Sequence, residues 1–75
     1  SSMKDFENYL CKLEEDLLNQ LIHGSVLKTK LKLKKSAGER VLSEMAKQGL
    51  IRLTKDSYAL TILGKWYLSM KKQNS

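Results

Sequence analysis

Residues 36–49 read SAGERVLSEMAKQG, and the fold of the chain is organised around this stretch. Ser36 and Glu39 have the spacing of a capping box, in which each side chain bonds a backbone N–H group of the first helical turn. The apolar residues recur at intervals of three and four, which predicts one buried helix face: Val41, Leu42, Met45 and Ala46. Gly49 suits the left-handed conformation that ends many helices. The pattern therefore predicts a helix over residues 36–48.

The opposite face of this helix is polar and carries groups that bond phosphates and base edges. Its members are Lys35, Ser36, Glu39, Arg40, Ser43 and Lys47. Arg40 is the first candidate for a base contact, because its guanidinium fork grips guanine at two points. The alternative for Arg40 is an ion pair with Glu44, four residues further along the helix. Glu39 is either held by its capping role, which we favour, or accepts a hydrogen bond from a cytosine amino group.

Length and composition limit the possible functions. At 75 residues the chain has room for one small core, so we expect a single domain over residues 1–75 that recruits a partner subunit. The sequence lacks an apolar run near the ~20 residues that cross a bilayer, and we expect a cytoplasmic, nucleoid-associated protein. A single cysteine, Cys11, and a single histidine, His23, supply neither a disulfide nor a Cys/His metal site. With one histidine, one cysteine and no glycine-rich phosphate loop, the sequence also lacks the parts of a nucleophile-and-base or phosphate-binding site. We therefore expect no enzyme activity, no cofactor and no metal.

The charge is segregated along the chain. Residues 1–24 carry a net charge of −3, residues 25–55 carry +7 and the remainder carries +2. The positive charge therefore surrounds the helix predicted at residues 36–48. A concentrated positive field favours a polyanionic partner, because binding releases the counterions of the polyanion. The alternative is that the charge only keeps a small protein well solvated.

Residues 5–23 have the apolar period of an amphipathic helix, which Gly24 ends. Its apolar face carries Phe6, Tyr9, Leu10, Leu13, Leu17 and Leu21. A second line, Cys11, Leu18 and Ile22, makes the apolar surface wider than one small core needs, which indicates contact with another subunit. We expect Cys11 to be buried, His23 to lie in the last turn and the carboxylates to lie on the wet face.

Residues 25–35 read SVLKTKLKLKK, and their period is ambiguous. Leu27 and Leu31 fit a short helix, whereas lysines at alternate positions from Lys28 to Lys34 fit an exposed strand. Because a capped helix follows within a few residues, we favour a helix over Leu27–Leu31 and a helix-turn-helix unit over residues 25–48. The lysines would then flank the turn of that unit.

After Gly49, two β-prone runs separated by a polar tip, residues 54–57, predict a hairpin over residues 50–60. Thr61 is suited to cap a last helix over residues 61–72, and Lys71 and Lys72 favour its C-terminus. Apolar residues cover much of that helix: Ile62, Leu63, Trp66, Tyr67, Leu68 and Met70. This helix is therefore either wedged into the core or part of an interface.

Two motifs resemble a known family. Residues 40–51, RVLSEMAKQGLI, are similar to a recognition helix that runs into a wing, and residues 58–64, YALTILG, fit the Tyr-x-Leu-Thr-x-x-Gly pattern at the second wing strand. Together they resemble the winged helix-turn-helix domains of small bacterial and archaeal transcriptional regulators. The resemblance implies a mainly α fold with a small β-hairpin, in the order helix, helix, helix, wing, helix. Gly38 departs from the pattern, since the family usually has an apolar residue there, and closer approach of the preceding helix is expected to offset its cost.

The resemblance implies a sequence-specific regulator with its recognition helix, residues 36–48, in the major groove of double-stranded DNA and its wing on the backbone or minor groove. The predicted DNA-binding residues are Lys34, Lys35, Ser36, Arg40, Ser43, Lys47, Arg52 and Lys55. A homodimer joined through the first and last helices would bind a palindromic site. The alternative is a winged helix that binds an acidic protein in a larger assembly. RNA binding is disfavoured, because no aromatic residues interleave the basic stretch.

Overall fold

The computed structural model describes residues 2–73, which contain three helices and one three-stranded antiparallel sheet. In chain order the elements are α1 (Ser2–Gln20), β1 (Val26–Leu27), α2 (Lys35–Lys47), β2 (Ile51–Leu53), β3 (Ser57–Leu60) and α3 (Ile62–Gln73). The predicted class, mainly α with a small β-hairpin, is confirmed, and β1 enlarges the hairpin into a sheet. Ser1, Asn74 and Ser75, which the predicted domain includes, lie outside the described residues.

α1 packs against both α2 and α3. Leucines spaced along one face of α1 and into the turn after it are almost fully buried: Leu13, Leu17, Leu18 and Leu21. The N-terminal part extends past the core, so Phe6 and Tyr9, predicted for the buried face, are 56% and 46% exposed. Cys11 is exposed, against the prediction that it is buried. The helix begins and ends three residues earlier than predicted, which leaves His23 in the turn that follows.

The helix predicted over Leu27–Leu31 is wrong, and so is the helix-turn-helix order. Residues 26 and 27 form β1, which pairs with β3, and a single turn follows in which the amides of residues 30 and 31 donate to the carbonyl of Leu27. Beyond this turn Leu31 is buried and Leu33 half-buried, while the lysines between and after them are exposed. This alternation has the period of two of extended chain. The element order is therefore α-β-α-β-β-α.

β3 is the central strand of the sheet, whose order is β1-β3-β2. The register aligns Tyr58 of β3 with Val26 on one side and with Leu53 on the other. Thr54 closes the turn between β2 and β3, because its amide and its hydroxyl both donate to the carbonyl of Ser57, at 2.8 and 3.0 Å. The hairpin predicted over residues 50–60 is confirmed.

The end of α2 and the start of α3 meet at what we call the Thr61 junction, formed by Gly49, Leu50, Thr61 and Gly64. Gly49 has a φ of +80°, and the Leu50 amide donates back to the Met45 carbonyl at 3.0 Å, which closes α2 as predicted. The Thr61 hydroxyl donates to the Gly49 carbonyl at 2.6 Å and accepts from the Gly64 amide at 3.0 Å. Thr61 therefore caps α3, as predicted.

The start of α2 differs from the predicted capping box. The N-cap is Lys34, whose side chain makes no capping hydrogen bond, and the helix begins at Lys35 with a φ of +54°. Leu33 lies against Gly38 here: a Cβ atom on Gly38 would meet the Leu33 Cβ at 3.2 Å. The absence of a side chain at position 38 therefore lets the extended segment that contains Leu33 pack closely against α2. The sequence predicts that the preceding helix packs there instead. Ser36 is the second residue of α2 and not its N-cap, so the predicted capping box is wrong.

One polar cluster joins α1 to α3. The Tyr67 hydroxyl donates to Glu14 Oε1 at 3.1 Å, and Lys71 Nζ lies 3.1 Å from the same oxygen and 5.2 Å from the centre of the Tyr67 ring. Glu14 is therefore half-buried, not on the wet face as predicted. Burial, and then the negative charge of Glu14, raise the pKa of Tyr67. Burial lowers the pKa of Lys71, but the hydrogen bond and charge of Glu14 outweigh this and raise it.

We expect Gly64→Ala to destabilise the fold strongly. A Cβ atom at this position would collide with the Leu50 carbonyl oxygen and would lie 3.1 Å from Leu60 Cδ2. Because the first contact is with backbone, no side-chain rotation relieves it, and the free energy of unfolding should fall by about 3 kcal/mol or more. Chemical denaturation followed by circular dichroism measures the change. Ser69→Ala, on the exposed side of α3, is the control and should stay within about 0.5 kcal/mol of the parent. Equal stability of the two variants would contradict the close packing.

We expect the stability of the fold to decline as the pH rises above about 10. The folded state holds the protons of Tyr67 and Lys71 more tightly than the unfolded chain does, since both pKa values are raised. Each group therefore stabilises the fold fully below its unfolded pKa and loses that contribution as the pH rises through its folded pKa. Thermal unfolding at a series of alkaline pH values measures the decline. Glu14→Gln should flatten it, whereas Glu15→Gln, which removes the same charge one residue along, should not. Identical slopes for the two variants would remove Glu14 as the cause.

Candidate nucleic-acid interface

One face of α2 is open to solvent along its whole length. The helix buries Gly38, Val41, Leu42 and Met45. With 3.6 residues per turn, the opposite direction is occupied by four exposed polar residues, which we call the α2 outer face: Ser36, Arg40, Ser43 and Lys47. Ala46, predicted for the buried face, is exposed because it lies over the shallow groove between α2 and the hairpin. The α2 outer face is therefore accessible to a partner.

The lysine loop, residues 28–34, leads into α2 and presents four exposed lysines: Lys28, Lys30, Lys32 and Lys34. Leu31, only 9% exposed, anchors the loop in the core. The side chain of Gln20, at the end of α1, bonds the loop twice: its nitrogen donates to the Lys32 carbonyl and its oxygen accepts from the Lys32 amide, both at 2.8 Å. These two bonds fix the backbone of the loop while its lysine side chains stay in solvent.

The hairpin is tied to the same loop. The Lys28 amide donates to the Asp56 carbonyl at 2.9 Å, one residue beyond the β1–β3 pairing. Arg52 and Lys55 of the hairpin are exposed. The lysine loop therefore connects, through its own backbone, the end of α1, the tip of the hairpin and the start of α2.

All the residues predicted to bind DNA are exposed, and we group them with the rest of the lysine loop as the basic surface. Its cations are Lys28, Lys30, Lys32, Lys34, Lys35, Arg40, Lys47, Arg52 and Lys55. The predicted site omitted Lys28, Lys30 and Lys32, although the alternation of lysine and leucine is a signal for their exposure. It also omitted the positioning role of Gln20, for which there is no local signal because the bond joins residues twelve positions apart.

The net positive charge of the protein belongs to the residues that lie between α1 and α3 in the sequence. α1 carries five carboxylates and two lysines, and α3 carries three lysines and no carboxylate, so the charges of the two helices cancel. Residues 21–61 therefore carry the entire net charge of +6. In residues 2–73 no carboxylate forms an ion pair with the basic surface. The alternative pairing of Arg40 with Glu44 is wrong, and Glu44 instead lies 3.4 Å from the amide nitrogen of Gln48.

Glu39 is exposed at the rim of the groove between α2 and the hairpin. The capping role that we favoured for Glu39 is wrong, because no side chain caps α2. Its carboxylate is therefore available to accept a hydrogen bond from a partner.

Two further features bear on the kind of site. The described residues contain no group of three or more His, Cys, Asp or Glu side chains arranged to hold a metal ion. Between residues 2 and 73, no helix combines the length and the apolar character that a membrane span requires.

Comparison of the chain with protein-family models, with curated proteins and with solved structures finds no match.

We expect Gln20→Ala to loosen the lysine loop without unfolding the protein. The variant loses both hydrogen bonds to Lys32, each of which contributes about 1 kcal/mol. The Lys32 amide should therefore exchange with solvent about tenfold faster, as measured by hydrogen exchange in NMR spectra. Asn19→Ala changes the exposed neighbour in α1 and should leave this rate unaltered. An unchanged Lys32 rate in Gln20→Ala would contradict the role of Gln20.

Proposed function

We propose that this chain is a sequence-specific regulator that binds double-stranded DNA with the α2 outer face in the major groove. The observation that supports this best is the position of Arg40, exposed on the α2 outer face and without a carboxylate partner among the described residues. The lysine loop precedes this helix and the hairpin follows it, and both carry exposed cations. A single helix with such a face fits the major groove, which is about 12 Å wide.

The parts of the basic surface have different roles in this proposal. Arg40 and Ser43 read base edges, and a two-point contact of Arg40 with guanine is worth ~1–3 kcal/mol of discrimination. The other cations, together with the Ser36 hydroxyl, bond phosphates and sugars, which supplies affinity and register but no sequence preference. Arg52 and Lys55 of the hairpin contact the backbone or the minor groove beside the helix.

The proposal includes a reduced winged-helix arrangement. α2, the hairpin and α3 follow one another as the recognition helix, wing and last helix of the two motifs do. β1 and the lysine loop stand in for the missing middle helix. Because Gln20 and Leu31 already fix the loop, its backbone loses little conformational entropy when phosphates bind.

We expect the affinity for DNA to depend steeply on the salt concentration. We also expect substitutions to distinguish Arg40, which reads bases, from the residues that contact phosphates. Fluorescence anisotropy with labelled duplexes should give a slope of log affinity against log salt near −0.9 per phosphate neutralised. The specific duplex is one selected from a random library, and the control duplex is a scrambled version of it. The Arg40→Ala variant should bind the selected duplex about tenfold or more weakly than the parent protein, and should bind the scrambled duplex about as well as the parent. Lys35→Ala should weaken both duplexes alike and reduce the salt slope by about one unit.

Lys4→Ala, which removes one exposed charge from α1, is the matched control and should change neither duplex. Equal losses for Arg40→Ala and Lys35→Ala on both duplexes would reject base reading by Arg40. The absence of any duplex binding at low salt would reject the proposal, and the alternative of a domain that binds an acidic protein would then replace it.

A further inference from the structure

The groove between α2 and the hairpin lies directly beside the α2 outer face. Its volume is about 430 Å³, and its walls include Glu39, Ser43 and Ala46 on the α2 side and Leu53 and Tyr58 on the hairpin side. Ser43 belongs both to this groove and to the α2 outer face, so the two surfaces are continuous. Leu53 is 50% exposed. A partner that lies against the α2 outer face therefore also meets an apolar wall.

Glu39 brings a negative charge to this groove, although the neighbouring surface is basic. It is the one charged side chain among the described residues that line the groove. It is exposed, and within residues 2–73 it makes neither a hydrogen bond nor an ion pair. A carboxylate beside a polyanion is repelled by the phosphates, so its position is favourable only where the partner offers it a hydrogen-bond donor. The inference that follows rests on the proposed function, in which the partner is a DNA duplex.

The bases differ in what they present to a carboxylate in the major groove. Guanine presents two acceptors and thymine presents an acceptor beside its methyl group, so both repel it. Adenine presents an amino donor next to an acceptor nitrogen, an edge that suits the amide of Asn or Gln. Cytosine presents an amino donor and no acceptor. Cytosine is therefore the base whose edge suits Glu39.

The apolar wall of the groove adds a second criterion. In cytosine the carbon C5 is bonded to the carbon that bears the amino group, so a methyl group on C5 points into the major groove beside the amino donor. When Glu39 accepts from the amino group, such a methyl group enters the groove that Leu53 and Ala46 line. The edge that offers both a donor and a methyl group is that of 5-methylcytosine.

We propose that this groove reads one cytosine of the DNA site and binds its C5-methylated form more tightly. Glu39 accepts a hydrogen bond from the amino group, and Leu53 contacts the methyl group. Thymine has the methyl group but turns an acceptor toward Glu39, and uracil lacks both the donor and the methyl group. Cytosine, 5-methylcytosine, thymine and uracil therefore separate the contribution of Glu39 from that of Leu53.

The first experiment locates the cytosine. Duplexes are selected from a random library with the parent protein and, separately, with Glu39→Gln. The parent should select cytosine at one position where Glu39→Gln does not, because glutamine loses the charge and suits adenine instead. Glu44→Gln is the matched control, since it removes the same charge from an exposed position of α2 outside the groove. It should select the same site as the parent.

The second experiment uses four duplexes that differ only in the pyrimidine at this position and in the purine paired with it. In fluorescence anisotropy the parent should bind the cytosine duplex about tenfold more tightly than the thymine duplex. It should bind the 5-methylcytosine duplex about threefold more tightly than the cytosine duplex. The uracil duplex should bind most weakly. Leu53→Ala should remove the gain from the methyl group and keep the preference for cytosine over thymine.

Two results would overturn this inference while DNA binding itself stands. The first is a selected site that is the same for the parent and for Glu39→Gln, because Glu39 then reads no base. The second is a 5-methylcytosine duplex that binds no more tightly than the cytosine duplex, or whose gain survives in Leu53→Ala, because the methyl group then does not enter the groove. The absence of binding to any duplex is a different result, since it rejects the proposed function and the inference with it.

Discussion

The carbonyl group of Leu50 is the point on which the arrangement of the elements depends. Its oxygen accepts the Thr61 amide at 3.1 Å, and α3 approaches it so closely that only glycine fits at position 64. Leu50 follows the end of α2 and precedes β2, while Thr61 follows β3 and precedes α3. One contact therefore fixes where α2 ends, where the hairpin leaves and returns, and where α3 begins. The direction of α2, and with it the direction of its outer face, follows from this junction.

In the lysine loop, repulsion between the lysine charges opposes the backbone conformation that the structure shows. Cations at alternate positions along a short segment repel one another and favour an open chain. The buried Leu31, the two bonds from Gln20 and the bond from Lys28 to Asp56 hold the segment in place against this repulsion. Such a loop is fixed before it binds anything, and a row of phosphates would relieve its repulsion. This is the physical argument for our proposal that the loop binds a polyanion.

The features that the sequence predicts well are those whose signals are local. Gly49, Thr61 and the spacing of Val41, Leu42 and Met45 each act within one or two helical turns, and the structure confirms all of them. The failures are of two kinds. β1 depends on a distant contact, because Val26 pairs with Tyr58. The capping box fails within a local signal, since α2 begins at Lys35 with Lys34 as an N-cap that makes no side-chain bond. The exposure of Cys11 also cannot be predicted from the sequence. The helical period shows which residues share a face of a helix, but not whether another element covers that face. The predicted site residues on the α2 outer face are exposed because outward position on a helix follows from periodicity. Contact with DNA does not follow from it.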